Sequence, residues 1–307
     1  FRRVLFRSSA IGIVLATVLG FIVGICRLSR NWIIRTLAYW YVESIRNIPL
    51  LLQMFFWYKG VFLLLPSVRD ALSLGAGIFV SQRGLYTPLP IPEQGFSAIP
   101  IAFGVSLVVA IIIHRWAHKR QEATGQLFPS VWTGFGLVIG APLIAAVITG
   151  FPFHWEIPVL TGFNFQGGMV VLPELAALLV ALITYTAAFI AEIVRSGIQA
   201  ISHGQTEAAR ALGISHATTL RLVIIPQALR VIVPPLTSQY LNLTKNSSLA
   251  VAIGFPELFQ IFAGTSLNIT GQAVEIMLMT MLVYLFFSLA IAIFMNWYNR
   301  RIALVER

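Results

Sequence analysis

Gln239, Asn242 and Asn246 recur at i, i+3 and i+7 within a largely apolar stretch, with Lys245 beside them and Ser247 and Ser248 directly after. Helical spacing puts the three amides on one face. Such groups are costly inside a membrane unless they face protein or water, so they mark a route or site for a polar solute. A lysine at mid-membrane costs about 2.5–3.5 kcal/mol, so Lys245 calls for a counter-charge. The candidates are Glu257, Glu275 or a carboxylate on a solute; the alternative is that its stem snorkels to the interface. Covalent chemistry has no comparable set. The chain lacks G-x-x-x-x-G-K-[ST], H-E-x-x-H and G-x-S-x-G. His114 and His118 have the i, i+4 spacing of a metal clip, but Arg115, Lys119 and Arg120 beside them read as a membrane edge. Cys26 is the single cysteine, which excludes an intramolecular disulfide and a multi-cysteine metal site.

The elements that must position these groups are membrane helices. Of 307 residues, 58% are apolar and 10% charged, with a mean hydropathy of +0.84, against about 25% charged in soluble domains. A water-soluble enzyme is excluded, and the net charge of +10 reads as inward-facing basic loops rather than a nucleic-acid surface. A span needs about 20 apolar residues, and seven segments are predicted: 9–26, 48–65, 98–114, 131–150, 173–196, 226–245 and 273–297. Pro234-Pro235 interrupts the sixth, which is tolerated only where protein or a cavity re-satisfies the backbone. The chain begins at Phe1, and Arg2, Arg3 and Arg7 precede an apolar run without a small-x-small cleavage site. The expectation is a chain that opens within or just before its first span.

With 197–225 placed inside and sides alternating, the inner side holds Arg27, Arg30, Arg35, Arg46, Arg115, Lys119, Arg120, Arg195, Arg210, Arg221, Arg230, Arg300, Arg301 and Arg307. The outer loops hold only Lys59, Arg69 and Arg83. That asymmetry predicts a cytoplasmic C-terminus. The outer segments 66–97 and 151–172, rich in Pro and Gly, are predicted as irregular loops, and 115–130 as a basic loop at the headgroups.

The stretch 203–226 reads HGQTEAARALGISHATTLRLVIIP. It predicts a short helix capped by Thr206, a stop at Gly213, and a second amphipathic piece before Pro226 opens the next span. The E-A-A spelling, Gly213 and Val223-x-Ile225-Pro226 resemble the EAA loop of ATP-binding-cassette importer permeases. RLSRNW (27–32), YVESIRNIPLLLQMFFWY (41–58), TAAFIAEIVRSGIQAISHGQTEAARALG (186–213) and PQALRVIVPPLTSQYLNLTKNSSLAVAIGFPELF (226–259) resemble the polar amino-acid branch of that family. An extra 66–170 with two added helices is similar to the longer general L-amino-acid permeases.

The resemblance implies an all-α type I importer permease, one transmembrane domain over 1–307 with the insertion at 66–170 and a coupling loop at 197–225, in a bacterial inner membrane. It implies an ATP-driven, binding-protein-dependent importer of L-amino acids, with no catalytic residue and no cofactor on this chain; ATP and Mg would sit on a partner ATPase dimer. The other implied partners are a second permease, a different one being favoured, and a periplasmic amino-acid-binding protein. Coupling to the ATPase passes to Gly204, Gln205, Glu207, Ala208, Ala209 and Gly213. The pathway passes to Asn47, Pro49 and Gln53 at a helix break, and to Gln239, Asn242, Lys245, Asn246, Ser247 and Ser248. Where the family often has Lys-Asp-Thr-Ser, this chain has Lys-Asn-Ser-Ser, which implies a site open to neutral or acidic as well as cationic amino acids. Glu192 and Arg195 read as an ion pair anchoring the loop, and Met277, Met279 and Met281 as packing. The competing class is an ion-coupled secondary transporter, for which the expected internal repeat is absent.

Overall fold

The computed structural model describes residues 2–126 and 128–302; Arg307, counted above among the inner basic residues, lies outside them. Two compact units are present. One is built from the chain up to Leu65, Gln82–Gly84 and the chain from Val171 onward; the other from Pro66–Ser81 and Leu85–Val170.

In chain order, α1 (Arg2–Cys26) leads through a short turn to α2 (Trp32–Asn47). Asn31 caps α2, its Oδ1 accepting from the Ile33 and Ile34 amides at 2.9 and 3.3 Å, which supplies two of the donors a helix start leaves orphaned. At Ile48 the backbone is extended (φ −100°, ψ 126°), the geometry a following proline imposes. The chain bends by 104° there into α3 (Leu50–Phe55), which runs on as a π turn (Phe56–Val61) and a 3-10 turn (Phe62–Leu64).

The second unit follows: β1 (Leu72–Gly75), β2 (Ile78–Ser81), β3 (Gly84–Thr87) and β4 (Leu89–Pro92), then α4 (Ala98–Thr124) and α5 (Ser130–Ile148), then β5 (Phe153–Glu156), β6 (Val159–Thr161), β7 (Asn164–Gln166) and β8 (Met169–Val171). The strands form a sheet ordered β1-β2-β3-β8 and two antiparallel ribbons, β4-β5 and β6-β7. The ribbon registers run Leu89 to Glu156 and Val159 to Gln166. This corrects the irregular loops predicted from sequence. The strands are only three or four residues long, too short for an alternation pattern to stand out. The turn Gly75-Ala76-Gly77, with φ of +86°, +50° and +74°, reverses the chain where the sequence shows only small residues. Tyr86 and Phe165 fill the small core, with ring centroids 4.6 Å apart, and Tyr86 donates to Asn164 Oδ1 at 2.8 Å. A second correction concerns 115–130. α4 continues through Thr124, so the basic segment is largely helix, its polar residues extending a helix that the apolar count alone ended at 114.

The chain then returns through α6 (Pro173–Gln199), α7 (His203–Ala211), α8 (His216–Thr219), a π turn (Leu220–Ile224) and α9 (Ile225–Asn246). A 3-10 stretch (Ser247–Ile253), a π turn (Gln260–Ser266), α10 (Leu267–Thr270) and α11 (Ala273–Ile302) complete it. Pro226 stands at the start of α9, as the sequence predicts. It sits in the first turn of α9, where its missing N–H costs little, and the π turn before it carries helical backbone on from α8. Among the described residues six helical stretches are long and apolar enough to span a membrane, or seven with the bent α2–α3 pair counted as one.

α6 is the spine of the first unit. Its Ala177, Leu178, Ala181 and Leu182 pack with Leu50, Met54, Ala250, Ile253 and Phe255; its Ile190 and Val194 pack with Ala16, Ala228, Ile232, Leu236 and Leu243. α1 lies against it through Gly20 and Gly24. A Cβ on Gly20 would stand 2.6 Å from Ile190 Cβ, and one on Gly24 would stand 2.8 Å from the Ala191 carbonyl oxygen and from Val194 Cβ. Small residues four apart allow the backbones this approach. Gly20→Ala is therefore expected to cost about 1–3 kcal/mol through overpacking and lower the melting temperature in detergent. Gly136→Ala on α5, where the added carbon meets nothing within 4 Å, should leave it unchanged.

Candidate functional site

α9 ends where Ser247 and Ser248 turn their hydroxyls back on the helix, donating to the Thr244 and Lys245 carbonyls at 2.8 and 2.7 Å. These bonds satisfy carbonyls freed at the helix end. Ser247 is fully buried. Lys245 is exposed and opens, with Ser248, into a cleft of about 380 Å³ whose other walls include Phe259, Met277, Thr280, Met281, Tyr284 and Ser288. Of the two carboxylates that could answer it, Glu257 is 1% exposed and already engaged: Tyr284 Oη donates to it at 2.9 Å and the Phe259 amide at 2.9 Å. Glu275 is exposed at the start of α11. Among the described residues Lys245 has no ion-pair partner. Asn242 is exposed and Gln239 and Asn246 half-buried, and these three amides do not line the cleft.

Thr280, Tyr284 and Ser288 were not singled out from the sequence. Their i, i+4, i+8 spacing makes a polar stripe on an otherwise apolar helix, and that was the signal available. Met277 and Met281, read as packing, are instead exposed and line the cleft. A flexible thioether suits a wall that must accept varied apolar groups.

At the α2–α3 bend, Gln53 is buried and its Nε2 donates to the Ile45 and Ile48 carbonyls, each at 2.9 Å. It thereby satisfies backbone oxygens that the break before Pro49 leaves without helical partners. Asn47 Nδ2 donates to the Glu43 carbonyl at 2.7 Å. Gln53 and the α9 terminus are brought into the same unit by α6, but Asn47, Pro49 and Gln53 do not line the Lys245 cleft.

The α7 loop has a different start from the one predicted. Ser202, not Thr206, is the cap, its Oγ accepting from the Gly204 amide at 3.3 Å. Ser and Thr are both good caps; Ser202 follows directly on the end of α6 and starts the helix one turn sooner. Gly213 has φ +72° and its amide donates to the Arg210 carbonyl at 2.9 Å, so α7 stops there in a conformation costly for any residue with a Cβ. Gly204, Gln205, Glu207 and Ala208 are exposed, whereas Ala209 is buried. Leu212, which the sequence reading passed over, stands 78% exposed beside Gly213.

Residues 96–304 match the family described as binding-protein-dependent transport system inner membrane component. The chain belongs to this family. It is 54% identical over 296 residues to the general L-amino acid transport system permease protein AapQ of Rhizobium johnstonii, covering 96% of this chain and 74% of that protein. It is 43% identical over 318 residues to the glutamate/glutamine/aspartate/asparagine transport system permease protein BztB of Rhodobacter capsulatus, covering 92% and 73%. The fold is similar to that in a crystal structure of an amino acid ABC transporter with histidines, at a TM-score of 0.56 and 20% identity over 97% of this chain and 90% of the other. As an inner membrane component of this family the chain is a multi-pass permease of the type I importer fold. The family works with a separate ATPase, which hydrolyses the ATP, and with a binding protein. Nothing supports the ion-coupled alternative.

In this permease Glu192 and Arg195 pair, as the sequence suggested, and a third group joins them. Arg27, from the turn after α1, also donates to Glu192, approaches Glu43 at 3.9 Å and lies over the Tyr39 ring. α1, α2 and α6 are thus tied together just before α7 begins. Removing the Tyr284 hydroxyl should strip the buried Glu257 of a donor. Tyr284→Phe is expected to destabilise by about 1–3 kcal/mol, read as a lower melting temperature in detergent. Tyr298→Phe, on the same helix with its ring more exposed, should have little effect.

Proposed function

We propose that this chain is one half of the translocation pathway of an ATP-driven importer of L-amino acids, and that Lys245 receives the substrate carboxylate. The observation that carries the reading is an exposed lysine that opens into a cleft and has no carboxylate partner among the described residues. An amino acid brings the missing counter-charge. Ser248, Thr280 and Tyr284, whose hydroxyl protons go to the Lys245 and Ile276 carbonyls and to Glu257, keep oxygen lone pairs that can accept from its ammonium. Ser288 adds a hydroxyl, and Met277, Met281 and Phe259 supply apolar wall. Among the described residues no acidic side chain lines the cleft to select a cationic side chain, which favours neutral and acidic substrates alongside basic ones. The names of the relatives, general L-amino acid transport in one and glutamate, glutamine, aspartate and asparagine transport in the other, fit that breadth. Gln239, Asn242, Asn246, Asn47, Pro49 and Gln53 belong to the pathway around the cleft in this reading.

The coupling contact to the ATPase dimer is assigned to α7 and Gly213. Gly204, Gln205, Glu207 and Ala208 face outward, Ala209 seats the helix on its own chain, and Leu212 is the apolar residue offered to a partner groove. The C-terminus is cytoplasmic, on the basic-residue asymmetry. The second permease is a different chain, the periplasmic binding protein docks on the outer segments, and ATP and Mg stay on the ATPase.

The test is uptake and ATP hydrolysis by the assembled transporter in proteoliposomes. Lys245→Met is expected to raise the KM for uptake at least tenfold, about the 1.5–3 kcal/mol of a charged hydrogen bond, with ATPase activity retained. Unchanged uptake kinetics would overturn the site. Gly213→Val, forced into a left-handed φ, should leave the protein in the membrane yet lose transport while hydrolysis continues or falls; normal transport would overturn the coupling assignment.

A further inference from the structure

The cluster that ties α1, α2 and α6 together encloses a second cleft, of about 310 Å³, lined by Arg27, Arg35, Thr36, Tyr39, Arg195 and Gln199. Its position follows from helical spacing: Arg35 and Tyr39 are one turn apart on α2, Arg195 and Gln199 one turn apart on α6, and Arg27 closes the end from the α1–α2 turn. Two of the three guanidiniums are fixed. Arg27, whose side chain is 9% exposed, and Arg195 both donate to Glu192, and Arg195 also donates to Gln199. The third is unused: Arg35 has no side-chain partner among the described residues. Arg27, Arg35 and Arg195 line the cleft and Arg46 also acts on Glu192, against Glu192 and the more distant Glu43, so positive charge is in surplus, with the hydroxyls of Thr36 and Tyr39 beside it.

We propose that this cleft binds the phosphodiester headgroup of an anionic phospholipid. A phosphodiester brings a negative charge to a cleft with cationic surplus, and its two non-bridging oxygens suit a guanidinium fork. Basic pockets between membrane helices on the cytoplasmic side are a known form of lipid headgroup site. Lipid rather than free phosphate is indicated by the surface next to the cleft. Trp32, Ile33, Leu37 and Trp40 of α2 are 66, 59, 67 and 62% exposed. Helical spacing puts Trp32 on the Arg35 side and the other three round the helix beyond Thr36, so an apolar, tryptophan-bearing track for acyl chains starts at the Thr36 edge of the cleft. A bound headgroup would neutralise Arg35 and hold α2 to the end of α6 next to α7. The inference rests on the chain's membrane setting and not on the transport reading.

The test is native mass spectrometry of the delipidated transporter, titrated with phosphatidylglycerol or, for comparison, zwitterionic phosphatidylethanolamine. Wild type is expected to hold one phosphatidylglycerol at least about fivefold more tightly than phosphatidylethanolamine. Arg35→Gln should erase that preference, Arg35→Lys should keep part of it, and Lys119→Gln, an exposed cation on α4, should keep all of it. Because the exposed Arg35 side chain has no hydrogen-bond or ion-pair partner among the described residues, its variants should fold with unchanged melting temperature; if they do not, the wild-type preference alone still decides. Three results would overturn the proposal: no preference in wild type; displacement of the lipid by millimolar inorganic phosphate, which would make this a free-anion site; or loss of the lipid when the ATPase subunits bind, which would make the cleft a protein interface.

Discussion

The contact between α1 and α6 requires two backbones to come closer than any side chain would permit, and glycines at 20 and 24 permit it. In a bilayer, apolar side chains gain little by leaving lipid for protein, so helices associate through close packing and a few polar bonds. α6 takes part in both. Its alanine-rich middle receives α3 and the 3-10 stretch after α9, its Ile190 and Val194 receive α1 and α9, and its Glu192 gathers Arg27 and Arg195. The order along α6, from apolar packing to an ion cluster to the α7 loop, puts the loop proposed for coupling at the end of a deeply buried helix.

The two polar irregularities of the first unit are handled alike. Where the helix breaks at Pro49, the amide of Gln53 bonds the freed carbonyls; where α9 ends, the hydroxyls of Ser247 and Ser248 do so. Residues that look like substrate ligands in a sequence are here engaged with the backbone, as irregular backbone in a membrane demands. Lys245 is a charged group left without such a partner among the described residues, and the proposed role rests on that difference.

The second unit follows other rules. Its strands hold together by ladder bonds and a small aromatic core, with Phe79, Tyr86 and Phe165 in contact, and its α4–α5 pair leaves most of its apolar surface outward. Glycine turns at positive φ set its topology, so composition could mark where the chain turns but not which strands would pair.

What the sequence determined by itself is local: spans from runs of apolar residues, the stop at Gly213, the extended residue before Pro49, and the four motif blocks that resemble the importer permeases. Helix period and hydropathy act over a few turns, so a single chain displays them. The tertiary structure decided what depends on residues far apart. Arg27 and Glu192 are separated by 165 positions, and no spacing rule links them. Glu257 looked available to Lys245 until Tyr284, on another helix, took it. Thr280 and Ser288 become cleft-lining groups only because α11 turns that stripe toward the end of α9. Which face of a lipid-soluble helix meets protein is set by the shape and polarity of its neighbour, and apolar composition all round the helix leaves that choice unwritten.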